Sequence, residues 1–165
     1  MSHFIYGCIS TSRVADDLSS LQQKLEYQYG IGIRFCWVTD KEVRDPRFQL
    51  HHFPTSVIPE SAHLRFVITD SPENDDTASY LIDGLDYAEE ASLTLPHASR
   101  DRLILLSDVV SSLFQMCETE ALAVLVTESC ECDAIVQQSI GQWKDQLLSD
   151  FESSAPSCKL YVLTR

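Results

Sequence analysis

Cys130-Glu-Cys132 is the arrangement in this 165-residue chain with the most intrinsic reactivity. A thiol at the N-terminus of a helix is activated, because the dipole and the unsatisfied backbone N–H groups favour its thiolate. Here Glu128, Glu131 and Asp133 surround the pair and push the other way, and no histidine is close in sequence to serve as a base. The spacing is Cys-x-Cys, whereas redox pairs use Cys-x-x-Cys. A zinc site would need two further ligands. His51 and His52 are adjacent, so on a strand they point to opposite faces and cannot share one ion.

The other chemical patterns fail on equally simple grounds. The loop Asp70-Ser-Pro-Glu-Asn-Asp-Asp-Thr77 has carboxylates at calcium-like intervals but lacks the glycine and the final glutamate of an EF-hand loop. Gly30-Ile-Gly32 lies between a helical and a strand-like stretch, the reverse of the order in a nucleotide-binding loop. Ser12, Ser56 and Ser107 lack Gly-x-Ser-x-Gly surroundings. The reading is therefore of a protein with no catalytic residue, no metal and no cofactor. A small cytoplasmic enzyme dependent on a thiol or a metal is the alternative in that class.

What the chain does have is acid. The net charge is −13, and residues 1–65 contribute nothing to it, with seven bases and seven acids. Residues 66–165 hold 18 acids against 5 bases. The base-free stretches are Asp70, Glu73, Asp75, Asp76, Asp83 and Asp86, continuing to Glu89 and Glu90, and the cluster Glu128, Glu131 and Asp133. Such a field repels nucleic acid and anionic membrane and steers a basic protein toward this half of the chain. A plain solubility surface is the simpler explanation of the same charges.

The elements that must position these acids are legible from hydrophobic spacing. Ala121 to Val126 is a six-residue apolar run without alternation, the signature of a central strand covered on both faces. His3 to Ile9, Ile33 to Val38, Phe48 to Phe53, Leu64 to Thr69 and Cys158 to Leu163 read as further strands. A first helix is expected over Val14 to Tyr29, with Ser10-Thr-Ser12 as cap, Asp16 and Asp17 in its first turn, and Gly30 ending it. A second, capped by Asp76 or Thr77, should run to about Ala91 with Tyr80 and Leu81 inward. A third, capped by Ser99, should carry Leu103, Leu106, Val110, Leu113, Phe114 and Cys117 on one stripe. The last should begin at Ser129 or Asp133 and carry Val136, Ile140, Trp143, Leu147 and Phe151. A right-handed crossover would follow if the strands ending at Val126 and beginning near Leu160 are parallel neighbours.

Residues 1–165 are thus expected to form a single globular α/β (α+β) domain, a mixed sheet of about five to six strands packed with three to four helices. The six cysteines should be reduced thiols, because no export signal precedes them and most lie on core-facing patterns. The longest apolar run is six residues, so a soluble cytoplasmic protein is expected.

A small acidic α/β domain of this character, without a catalytic motif, resembles the immunity proteins that bacteria pair with secreted toxins. The resemblance implies inhibition by direct binding: an acidic face covering the basic cleft of a cognate toxin or effector, nucleases among them. The partner-binding residues expected on this reading are Asp70, Glu73, Asp75, Asp76, Asp83, Asp86, Glu128, Glu131 and Asp133. No nucleic acid and no membrane would be partners. A non-catalytic interaction or assembly module is the third reading.

Overall fold

The computed structural model describes residues 3–10, 17–38, 63–74, 80, 97–127, 132–153 and 158–165. Their elements are β1 (Phe4–Ser10), α1 (Leu18–Tyr29), β2 (Gly32–Val38), β3 (His63–Thr69), α2 (His97–Met116), β4 (Ala121–Thr127), β5 (Ala134–Ser139), a 3₁₀ turn (Ile140–Gln142), α3 (Trp143–Ser153) and β6 (Lys159–Thr164). Among the described residues, six strands form one mixed sheet in the order β2-β3-β1-β4-β6-β5. All pairings are antiparallel except β5 with β6. The expected α+β class is the observed one.

β1 and β2 both run antiparallel to β3, and β3 and β4 both run antiparallel to β1. Each of α1 and α2 therefore joins two parallel strands with a third inserted between them, the split β-α-β arrangement repeated twice. β6 extends this sheet beside β4, and β5 closes the edge.

β4 is the central strand its sequence announces, flanked by β1 and β6 and buried from Leu122 to Thr127. Its lack of alternation has a direct cause. Leu122, Val124 and Val126 join a large core with Ile5, Phe66, Leu106, Leu113, Trp143 and Phe151, which brings in the residues of all three helices. Ala123 and Leu125 belong to a second buried cluster on the opposite face, with Tyr6, Cys8, Val38, Val67, Leu160 and Val162 and, among the described residues, no helical member. Both faces are dry, so the strand from Ala121 to Val126 is apolar at every position.

The first helix is shorter than its apolar spacing predicts. Asp17 is its N-cap, with a carboxylate accepting from the N–H groups of Ser19 (3.0 Å) and Ser20 (3.2 Å), so it stands outside the first turn. Gly30 ends α1 as expected, at φ 65°, donating its N–H to the Glu26 carbonyl (2.8 Å). The α2 helix begins at His97, which places Ser99 inside its first turn and not at the cap. The strand expected over Phe48 to Phe53 with His51 and His52, and the helix expected from Asp76 to Ala91, lie outside the described residues apart from Tyr80, which is buried.

One element is corrected. The long helix expected from Asp133 to Phe151 starts only at Trp143, and Ala134–Ser139 is an edge strand instead. Val136 and Ile140 still touch the helix-side core, which is why they fit the stripe, but β6 offers the backbone of residues 134–139 a hydrogen-bonded neighbour. Gly141 would also have fallen in the interior of the expected helix, where glycine costs about 0.5–1 kcal/mol relative to alanine. The conditional crossover moves accordingly. β4 and β6 are neighbours but antiparallel, with Val126 opposite Lys159, and the parallel neighbours are β5 and β6, joined through α3.

Candidate functional site

The registers decide which loops share an end of the sheet. Gly32 faces Thr69, Phe4 faces Thr127, Val126 faces Lys159, and Ala134 also faces Lys159. So β3 and β4 finish at the end where β1, β2, β5 and β6 begin. Asp70 and Glu73 follow β3, and Asp133 precedes β5, so all three described candidates belong to this one end. Four strand spacings of about 4.8 Å separate β3 from β5, which sets the two groups about 19 Å apart across it. They form two flanks of one edge and make no cluster with each other. Asp75, Asp76, Asp83, Asp86, Glu128 and Glu131 lie outside the described residues. Asn74 and Tyr80, the described residues on either side of Asp75 and Asp76, are both at this end.

The turn carrying Asp70 and Glu73 is held from several directions. The Asn74 N–H donates to the Ser71 carbonyl (3.1 Å), the Thr69 hydroxyl donates to the same carbonyl (3.0 Å), and the Glu73 N–H donates to Ser71 Oγ (3.3 Å). Asp70 accepts from the side-chain amide of Asn74. Gly32 lets the turn sit against β2, since a Cβ there would lie 2.3 Å from the Ser71 carbonyl oxygen. Arg34 of β2 donates to the carbonyls of Pro72 (2.8 Å) and Asn74 (3.4 Å).

Arg34 does not cancel the turn's charge, because Glu26 takes its guanidinium. The Arg34 guanidinium bonds Glu26 Oε1 at 2.5 Å, and the same oxygen accepts from the Ile33 N–H (3.2 Å). Lys159, at the start of β6, is likewise taken by Asp150 at 2.8 Å, whose carboxylate also accepts from the Tyr161 hydroxyl (2.7 Å) and Gln146 (2.8 Å). Arg100 pairs with Glu152. The Arg102 guanidinium lies 4.3 Å from the Tyr80 ring centre and donates to the Tyr80 carbonyl (3.4 Å). Tyr80 in turn gives its backbone N–H to the His3 carbonyl and its hydroxyl to the Arg102 carbonyl, both at 2.8 Å. Burial drives the Tyr80 phenol well above its ordinary range, with Asp70 adding to the shift and Arg102 opposing it.

His3 adds no positive charge here. Its ring is buried against Phe151, and burial, then the nearby N-terminal ammonium, lowers its pKa from 6.5 to about 4. The described cations at this end are thus engaged internally. Among the described residues, Asp70, Glu73 and Asp133 form no ion pair.

Asp133 has a role that spacing could not reveal. Its N–H donates to the Cys158 carbonyl (2.7 Å) and its carboxylate accepts the Cys158 N–H (3.0 Å), so it holds the start of β6 from the neighbouring strand. The residue is otherwise exposed.

Cys132 loses the feature that would have activated it. With β5 in place of a helix there is no dipole at this thiol, which donates to the Ala134 carbonyl (3.3 Å). Burial is the largest cause of its raised pKa, and Asp133 adds to it. Burial also pushes Cys8 up to about 12 and Cys117 to about 11. Cys8, Cys36, Cys117, Cys132 and Cys158 form no disulfide among the described residues, and Cys130 lies outside them. Among the described residues no group of three or more His, Cys, Asp or Glu could hold a metal, and no helix is long and apolar enough to cross a membrane.

Comparison with family models, with curated proteins and with solved structures found no match to this chain.

Proposed function

We propose that this protein is an immunity protein that neutralises a cognate bacterial toxin or effector by direct binding, presenting the acidic end of its sheet to a basic surface of the toxin. The observation that supports this reading is the division of charge at that end. Arg34, Lys159 and Arg100 are each answered by an acid of the same chain, while Asp70, Glu73 and Asp133 form no ion pair among the described residues. Carboxylates left in this state meet incoming Lys and Arg side chains with their charge undiminished. The two flanks, about 19 Å apart, match the width of a standard interface of about 800 Å² per partner. Asp75, Asp76, Asp83, Asp86, Glu128 and Glu131 belong to the same proposed surface. A nuclease is a natural target, because a cleft built for phosphate is lined with the cations such a surface requires.

The test is co-expression with the product of the neighbouring gene. The reading expects growth to be rescued and the two chains to co-purify at low salt. Rescue without a stable complex, or no rescue at all, would argue against direct neutralisation.

A further inference from the structure

The strand register brings two thiols together at the start of β5 and β6. Asp133 and Cys158 are joined by two hydrogen bonds, from the Asp133 N–H to the Cys158 carbonyl (2.7 Å) and from the Cys158 N–H to Asp133 Oδ2 (3.0 Å). Cys132 is the next residue along. Strand neighbours lie about 4.8 Å apart and successive Cα atoms about 3.8 Å, which places the Cα atoms of Cys132 and Cys158 about 6 Å from each other. Disulfides span about 4.4–6.8 Å between Cα atoms. Cys158 is also close enough to Cys132 for its charge to raise the Cys132 thiol.

We propose that Cys132 and Cys158 are an oxidation site, two thiols placed to form a disulfide that ties β5 to β6 when a low-molecular-weight disulfide is supplied. Exposure sets the order of events. Cys132 is half-exposed and Cys158 is buried, so Cys132 meets the oxidant first. Its thiolate attacks one sulfur of glutathione disulfide, that S–S bond breaks, and one glutathione leaves as a thiol after taking up a proton. Cys158 then gives up its proton and attacks the Cys132 sulfur, and the second glutathione leaves. Two electrons and two protons pass from the protein to the oxidant, which ends as two thiols. Burial, and then the charge of Asp133, disfavours the Cys132 thiolate, so the first attack is slow at neutral pH and quickens as pH rises.

Cys36 supplies an internal contrast. It is the exposed thiol among those described, but across the sheet it faces Arg65, which in turn faces Cys8. Two strand spacings, about 9.6 Å, separate Cys36 from Cys8, beyond the reach of a disulfide. Glutathione disulfide should leave Cys36 as a mixed disulfide that cannot be resolved.

The experiment incubates the full chain with glutathione disulfide at mildly alkaline pH and maps its peptides without reduction. The expected product is a Cys132–Cys158 linked peptide that has lost two hydrogens, alongside a Cys36 peptide carrying one glutathione. The Cys130→Ser variant should keep the link. Cys158→Ala should lose it and accumulate glutathione on Cys132. A bond between Cys130 and Cys132 in the wild-type chain, or glutathione persisting on Cys132 with Cys158 present, would overturn the proposal.

Discussion

Asp133 grips Cys158 by both ends of its peptide recognition, donating to its carbonyl at 2.7 Å and accepting its N–H at 3.0 Å. The same carboxylate is one of the acids assigned to the partner surface, so its structural and binding roles must be separable. Asp133→Asn keeps an oxygen to accept the Cys158 N–H and removes the charge. Asp133→Ala removes both. Urea unfolding should show Asp133→Asn within about 0.5 kcal/mol of wild type and Asp133→Ala about 1 kcal/mol less stable. Equal losses in the two variants would mean that charge, and not this hydrogen bond, secures the start of β6.

Gly7 on β1 lies beneath the Phe66 ring, and a Cβ at that position would stand 1.9 Å from the ring's Cζ. Phe66 is fully buried, so it cannot swing aside. Gly7→Ala should therefore destabilise the fold by about 1–3 kcal/mol or more through overpacking. The pair Gly7→Ala with Phe66→Leu should lose less than the sum of the two single changes, because the smaller side chain vacates the contested space. Additive losses would show that the glycine is needed for another reason.

Acid should unfold the protein through His3. Its folded pKa of about 4 is below the unfolded value of 6.5, so between those values the unfolded chain binds the proton first and stability falls as pH falls. The full span corresponds to about 3 kcal/mol, present above pH 6.5 and lost by about pH 4. Tyr80, Tyr161, Cys8 and Cys117 shift upward in the fold, so on the alkaline side the unfolded chain loses protons first and stability falls as pH rises. Urea midpoints of wild type and His3→Phe across the acid range should diverge below about pH 6.5. Parallel curves would remove His3 from the account.

The fold was legible where burial and local pattern agree. Ala121 to Thr127 reads as a central strand because both its faces are dry, and α2 reads as a helix because its stripe meets the sheet. Residues 134–139 look helical in sequence because an edge strand takes its structure from the neighbour it pairs with, and Val136 and Ile140 fit a helical stripe equally well. Asp17 passes for a residue of α1 because a cap and a first-turn acid look alike in sequence. At the candidate site, the acids were visible from composition, but their availability was not. That depends on registers that set Asp133 beside Cys158 and on Glu26 reaching Arg34 from another element.

The central claim is that the acidic end of the sheet draws in a basic toxin, and association kinetics address it directly. Asp70→Lys with Glu73→Lys reverses two acids of that end. Glu120→Lys reverses an exposed acid at the opposite end, paired only loosely with Arg165 at 3.5 Å. Stopped-flow mixing with the product of the neighbouring gene, at low and at high salt, should show the double variant associating at least about tenfold more slowly at low salt, with a weaker salt dependence. Glu120→Lys should behave nearly as wild type. If the double variant associates at the wild-type rate at low salt, or slows no more than Glu120→Lys, the acidic end is a solubility surface and the proposed function fails.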